Sequence, residues 1–381
     1  MPKAAEAYPS RSAVPVVSTR LFMEPLGRYD AGAAARETEK QAPRPDKHAP
    51  SGHFVARTRF GSMTYGSRAR VQDDISWTIL VAMAAGCVLA CRGLGFTAAV
   101  AAAVPVAAGC LCLLAAALLA RARGRLQVFA GAVALLQMTV FTVLAVVLSY
   151  ALAARGGPLW DDRLAAADRW LQFDWPVVFR AVDGWPAVIW VGGAAYYSLV
   201  AQMVACILVL SAVGHVERLR MAVTAAVLSG ALTVAISGVV PAMGNLFDPA
   251  TYRHLWPSVA WQDRALVAGL RAGSARVLDL SQLSGIVTFP SYHATLPVIL
   301  AWAQRDVPVL KYAAPVWAGV TILATPLFGG HYAVDVLAGL ALALLGIVVA
   351  SRSAGESRSG LPMQMPNRLK TVYATPVEEG L

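Results

Sequence analysis

Gln127–Ala154 reads QVFAGAVALLQMTVFTVLAVVLSYALAA, an unbroken apolar run without one charged side chain. Roughly 20 such residues cross a bilayer as an α-helix, and within hydrocarbon a helix satisfies its own backbone groups. The run therefore predicts a membrane-spanning helix. The same texture recurs on both sides of it. The expected spans are Ser76–Cys91, Phe96–Ala120, Gln127–Ala154, Pro186–Val213, Met221–Pro241, Ile286–Ala303, Tyr312–Phe328 and Tyr332–Ser351. The fold class read from this pattern is an all-α polytopic transmembrane bundle of about eight spans. The first two runs are Ala-rich with a break at Arg92–Gly95, which also suits a hairpin that does not cross fully.

Composition agrees. Of 381 residues, 57% are hydrophobic and 14% charged, with a mean hydropathy of +0.57. Soluble domains carry about a quarter charged residues, so a water-soluble enzyme is excluded. The 32 Lys and Arg against 22 Asp and Glu give a charge of +10. These basic residues flank apolar runs, as membrane proteins require, and no nucleic-acid partner is expected. Cys87, Cys91, Cys110, Cys112 and Cys206 all lie in apolar runs and read as small packing residues.

Residues 1–75 are rich in Pro, Arg, Lys, Ala and Ser, show no sustained period and lack the apolar core of a secretory signal. They read as a disordered basic tail. Amino-terminal helices follow at 76–154, an outer interfacial segment at 155–185, a catalytic core at 186–351 and a second tail at 352–381. Arg121, Arg123, Arg125, Arg218, Arg220, Arg305 and Lys311 fall in loops on one side of an eight-span chain. Positive loops stay cytoplasmic, which places both termini there. The expected setting is a bacterial inner membrane with the opposite loops in the periplasm. In the outer segment, Trp160, Trp170, Trp175 and Trp185 alternate with Asp161, Asp162, Asp168 and Asp174. That pattern predicts a helix at the lipid–water boundary; the alternative reading is a surface cap without function.

Six histidines occur, and two stand at outer ends of expected spans: His293 and His331. Ionisable groups at a membrane boundary are functional by default. Asp335 follows His331 by one helical turn, on the same face. His293 closes Thr288-Phe289-Pro290-Ser291-Tyr292-His293, a Pro-led helix start whose free N–H groups suit an anion. This set meets the needs of phosphoryl transfer through a covalent intermediate. His331 is the expected nucleophile, Asp335 its orienting partner, His293 the general acid then base, and Ser291 a phosphate ligand. No metal or other cofactor is required. The competing reading is a non-catalytic transporter or scaffold that uses His and Asp for proton coupling. It calls for charges deep in several spans, and the span interiors are nearly free of them.

Phe289-Pro290-Ser291-Tyr292-His293 and Gly329-Gly330-His331-Tyr332-Ala333-Val334-Asp335 resemble the second and third motifs of the type-2 phosphatidic acid phosphatase superfamily. The closer likeness is to its inositol phosphorylceramide synthase branch. Val240-Pro241-Ala242-Met243-Gly244-Asn245 looks like that branch's Pro-Ala-x-Gly segment, and Tyr196-Tyr197-Ser198 with Gln202 resembles its fourth-span pattern. The resemblance covers about Asp168 to Ser351. It implies the triad His293, His331 and Asp335 on the non-cytoplasmic side, acting on a phospholipid or sphingolipid phosphate with water or an inositol-containing acceptor. Gly330 joins Ser291 as a candidate phosphate-binding residue, and Asn245, Tyr197 and Gln202 are substrate-binding candidates, with helix–helix hydrogen bonding an equal alternative for Gln202.

The chain also departs from the phosphatase pattern. Ala324 and Thr325 stand where that branch has Ser-Arg, and the Lys…Arg-Pro first motif is missing. The phosphate charge must then be met by Ser291, by N–H groups near Gly329 and Gly330, or by Arg253, Arg264, Arg271 or Arg276. Pro50-Ser51-Gly52-His53 spells the phosphatase second motif, but it lies in the polar tail with no span after it. His53→Ala is expected to leave activity intact, and His293→Ala to abolish it.

Overall fold

The computed structural model describes residues 62–359. The expectations for the first 61 residues, His53 included, and for 360–381 lie outside the described residues. Twelve helices account for most of the described chain. The first is α1, Ser62–Gly93, then α2, Val100–Ala122, and α3, Leu126–Ala153. Helix α1 begins ahead of the expected start at Ser76. Met63, Arg68, Arg70 and Gln72 are good helix formers, so the helix runs past the apolar stretch that composition marks.

Among the described residues, six helices are long and apolar enough to cross a membrane, in the ranges Asp73–Gly93, Val100–Ala122, Leu126–Ala153, Val216–Val239, Leu310–Gly329 and Ala333–Ser353. The fourth expected span is broken. Its parts α6, Pro186–Tyr197, and α7, Leu199–Ala212, meet at a 55° bend around Ser198. Taken together they make a seventh span. At the bend the Ala195 carbonyl accepts from Ser198 Oγ (2.9 Å), Gln202 Nε2 (3.1 Å) and Thr321 Oγ1 (3.3 Å). Side chains inserted at that carbonyl are a sufficient cause of the kink.

The expected span Ile286–Ala303 needs a larger correction. Only α10, Tyr292–Ala303, is helical. Twelve residues rise roughly 18 Å, short of the roughly 30 Å hydrocarbon core. Pro290 and the N-cap Ser291 stop the helix from extending back towards Ile286.

The remaining long helices are α8, Val216–Val239, α11, Leu310–Gly329, and α12, Ala333–Ser359. The main core joins α1, α3, α7, α8, α10 and α12 around Met138, Phe141, Leu210, Leu219, Val227 and Ile299. Small residues let the backbones approach. A Cβ on Gly346 would meet Ala225 O at 2.8 Å, and Ser229 Oγ donates to Leu342 O at 3.0 Å across the same α8–α12 seam.

Alternate connections meet at one end of the bundle. Strand β1, Thr97–Ala98, between α1 and α2, pairs in parallel with β2, Val277–Leu278. The interfacial segment folds as two helices, α4, Asp161–Trp170, and α5, Trp175–Asp183. Trp160 N donates to Pro241 O at 2.9 Å, tying α4 to the connection after α8. That connection carries α9, Val259–Ala272. At the other end, Arg220 pairs with Asp73 (3.3 Å) and Arg218 with Asp306, where the basic loops were expected to gather.

Candidate functional site

His331 sits in the short link between α11 and α12, and the backbone on either side of it is closely specified. Gly330 ends α11 with φ +76°, and a Cβ there would lie 2.7 Å from Ala260 Cβ and 3.0 Å from Ser258 Oγ. Gly244 has φ +110°, and its Cβ would come within 2.6 Å of Gly330 O. Both positions need glycine, for conformation and for space. Asn245 N donates to Gly330 O at 2.7 Å, which holds the Val240–Asn245 segment against the link.

The imidazole of His331 is 4% exposed. Its Nδ1 is 2.8 Å from Thr288 O and 3.4 Å from Asp335 Oδ2. A carbonyl can only accept, so Nδ1 carries the hydrogen and Nε2 keeps its lone pair. Asp335 is completely buried in the first turn of α12. Its Oδ2 accepts from Tyr332 N at 2.8 Å, and its Oδ1 has no hydrogen-bond partner. The tautomer expected from Asp335 alone is thus set mainly by the Thr288 carbonyl, with the carboxylate as a second, longer contact.

His293 is the second residue of α10, and its ring stacks on Tyr196 at 4.4 Å with 13° between planes. The two imidazole centroids are 6.4 Å apart. Tyr196 also reaches the link, because a Cβ on Gly329 would meet its hydroxyl at 3.0 Å and His331 Nε2 at 3.1 Å. Ser291 N donates to Asp335 O at 3.0 Å, joining α10 to α12. Ser291 Oγ is fully buried without a partner, as is Asn245 Nδ2. Buried polar groups are nearly always hydrogen-bonded, so two unpaired ones in this region call for an explanation.

The interfacial segment bonds directly to the backbone around His331. Asp161 and Asp168 are seven residues apart on α4 and turn inward together. Asp168, 1% exposed, accepts from Ala333 N (2.8 Å), Val334 N (3.0 Å) and Trp175 Nε1 (2.6 Å). It caps the N-terminus of α12 two residues after His331. Asp161 accepts from Gly244 N (2.9 Å), from Met243 N and from Tyr332 Oη (3.2 Å). The alternation of Trp and Asp marked this segment, yet only the seven-residue spacing could have signalled that two carboxylates face the core. The Thr288 carbonyl had no side-chain signal at all.

The other candidates are distributed. Tyr197 is half exposed and meets Tyr196 edge-on at 5.2 Å and Trp256 at 6.3 Å. Gln202 spends its amide on Ala195 O, Ser198 Oγ and Thr321 Oγ1, the helix–helix role. Arg264 lies on Trp261, and Arg276 bonds Leu270 O and stacks on Phe96. Arg253 is exposed, with its backbone N on Asp183. Arg271 bonds Gly157 O and lines a cavity of about 30 Å³ with Thr288, Ala242 and Ser237. Its Nη1 is buried without a hydrogen-bond partner among the described residues.

No match was found among curated proteins or among solved structures. Residues 162–349 match the family model of the PAP2 superfamily. This match covers both histidines, Asp335 and the capping Asp168, and supports assigning this part of the chain to the type-2 phosphatidic acid phosphatase superfamily.

Proposed function

We propose that the protein is a lipid phosphatase or phosphotransferase that works through a phosphohistidine on His331, at the outer face of the membrane. The observation that carries the reading is the facing pair of imidazoles, 6.4 Å between centroids, one with its Nδ1 hydrogen already committed. His331 Nε2 attacks phosphorus, and the ester P–O bond breaks. The departing oxygen takes a proton from His293. Water or an alcohol then attacks phosphorus and gives its proton to His293, and the P–N bond breaks to free His331. Ser291 Oγ and Asn245 Nδ2, with the N-terminus of α10, are the donors for the phosphate oxygens. They stand in for the arginine absent at Thr325.

Resemblance in Val240–Asn245 supports the synthase-like branch, in which an inositol-containing or other alcohol acceptor replaces water. The basic loops at the far end support cytoplasmic termini and an outward site. The test is phosphate release from phosphatidic acid by the purified protein in lipid nanodiscs, with acid-quench trapping of labelled protein. Wild type is expected to release phosphate and to trap an acid-labile adduct. His331→Ala should do neither. Adduct formation by folded His331→Ala would refute the assignment.

A further inference from the structure

Asp263 takes no part in the chemistry above, yet α9 carries it one turn from Ala260, which packs on the Gly330 next to His331. Ala260, Asp263, Val267 and Arg271 recur at intervals of three and four, which makes one stripe of a helix. Both ends of that stripe are located. Ala260 covers Gly330 and Gly244, where added Cβ atoms would meet it at 2.7 and 2.9 Å. Val267 and Arg271 line the small cavity with Thr288, whose carbonyl holds His331. The member between them, Asp263, therefore lies on the face of α9 whose neighbours flank the link that bears His331.

Its surroundings are hydroxyl groups. Ser284 Oγ donates to Asp263 Oδ2, and Ser284 N donates to Tyr150 Oη at 3.0 Å. The Asp263 charge also acts on the phenols of Tyr150 and Tyr196, and Tyr196 is the ring stacked on His293. Partial burial pushes the Asp263 carboxyl above the usual carboxylate range, against the Ser284 hydrogen bond. A carboxylate on this face of α9 adds like charge on the side of a phosphate and offers its oxygens no hydrogen bond. It suits a neutral ligand that brings hydroxyl donors.

We propose that Asp263 binds a hydroxyl of an alcohol acceptor that discharges the phosphohistidine. The inference rests on the phosphohistidine reading and deepens it towards transfer. In the step, an acceptor oxygen forms the new P–O bond, its proton passes to His293, and the P–N bond to His331 breaks. The attacking hydroxyl must give its proton to His293, so the hydroxyl held by Asp263 is a different one. The acceptor class is therefore a polyol with at least two hydroxyls.

The experiment uses the full chain in nanodiscs, with phosphate-labelled phosphatidic acid as donor and glycerol, myo-inositol or 1-propanol as acceptor. Labelled phosphate and labelled phosphoalcohol are separated, and their ratio is followed against acceptor concentration. In wild type, the ratio for glycerol or inositol should saturate, and that for propanol should rise linearly. Asp263→Asn and Asp263→Ala should lower the polyol ratio about tenfold or more, the loss of one hydrogen bond to a charged group, and make it linear. A merely structural role would reduce both products together and leave the ratio unchanged, which would overturn the proposal. Wild type that releases phosphate but never forms a phosphopolyol would also overturn it, and would leave the phosphohistidine reading standing. Absence of both phosphate release and labelled adduct would bring down both.

Discussion

Removing the Asp168 carboxylate tests whether the interfacial helix holds the nucleophile in place. Asp168→Ala leaves three donors, one buried and two part-buried, without their acceptor: Ala333 N, Val334 N and Trp175 Nε1, now at 2.8, 3.0 and 2.6 Å from it. Each orphaned donor costs about 1–3 kcal/mol. Lost capping of a helix N-terminus by itself costs about 0.5–2 kcal/mol. Three donors together cost about 3–9 kcal/mol, the cap being two of them, which is a large share of a typical stability of about 5–15 kcal/mol. Relief comes by fraying of the first turn of α12, which carries Asp335 and directly follows His331 and Tyr332. A displacement of about 1 Å at a reacting group costs about 100-fold in rate. The assay is kcat and KM for phosphate release from phosphatidic acid in nanodiscs, beside thermal unfolding of the same samples. A fall in kcat of about 100-fold at nearly unchanged KM, with a lowered Tm, is expected. Asp168→Asn should lie between, because its amide oxygen still accepts. Asp168→Ala with wild-type kcat and Tm would refute the capping role.

The other expectations are narrower. Asp335→Asn should lower kcat far less than His331→Ala, roughly 10- to 100-fold against loss of all turnover, because the Thr288 carbonyl still holds Nδ1; equal losses in steady-state assays would contradict the shared orientation. Gly330→Ala should destabilise by about 1–3 kcal/mol from backbone strain, with further cost from Ala260 and Ser258, and read out as a lowered Tm together with lost activity. Asp183 is slightly desolvated, but N–H groups of Arg253, His254 and Leu255 outweigh this and hold its carboxyl below the usual range. Its folded pKa lies below its unfolded value, so the stabilisation it provides is full above about pH 4 and is lost as pH falls through the folded pKa. Tryptic cleavage after Arg253 should therefore quicken in samples pre-equilibrated at lower pH, and Asp183→Asn should be cleaved quickly at every pH.

How much of this was legible follows from which forces leave a mark in the chain. Hydrocarbon demands long uncharged runs, and those are visible by inspection, so most spans and their order could be read. The bend at Ser198 could not. It depends on Thr321, 123 positions further on, reaching the Ala195 carbonyl from another helix, and no local breaker residue announces it. The length of α10 was half legible: Pro290 is a stop signal, but the apolar texture continues through Ile286 and Val287 and outweighs it in a hydropathy reading. The two histidines, Asp335 and Ser291 were legible because polar groups at span ends are costly. Their convergence was not, since it depends on how α10, α11 and α12 pack.

What escaped the reading altogether shares one physical form. Asp161, Asp168 and Asp183 bond to backbone N–H groups of distant segments, and the Thr288 carbonyl bonds to an imidazole. Main-chain partners carry no residue identity, so half of each interaction is invisible in sequence. This arrangement also suits the chemistry. A carboxylate saturated by N–H donors is fixed in place, and its charge is largely answered before any phosphate arrives. The acids of α4 can then hold the link around His331 at little electrostatic expense to an anionic substrate. Among the described residues Asp263 accepts from Ser284 Oγ and not from main-chain N–H groups, so unlike Asp161 and Asp168 of α4 it keeps capacity for a ligand.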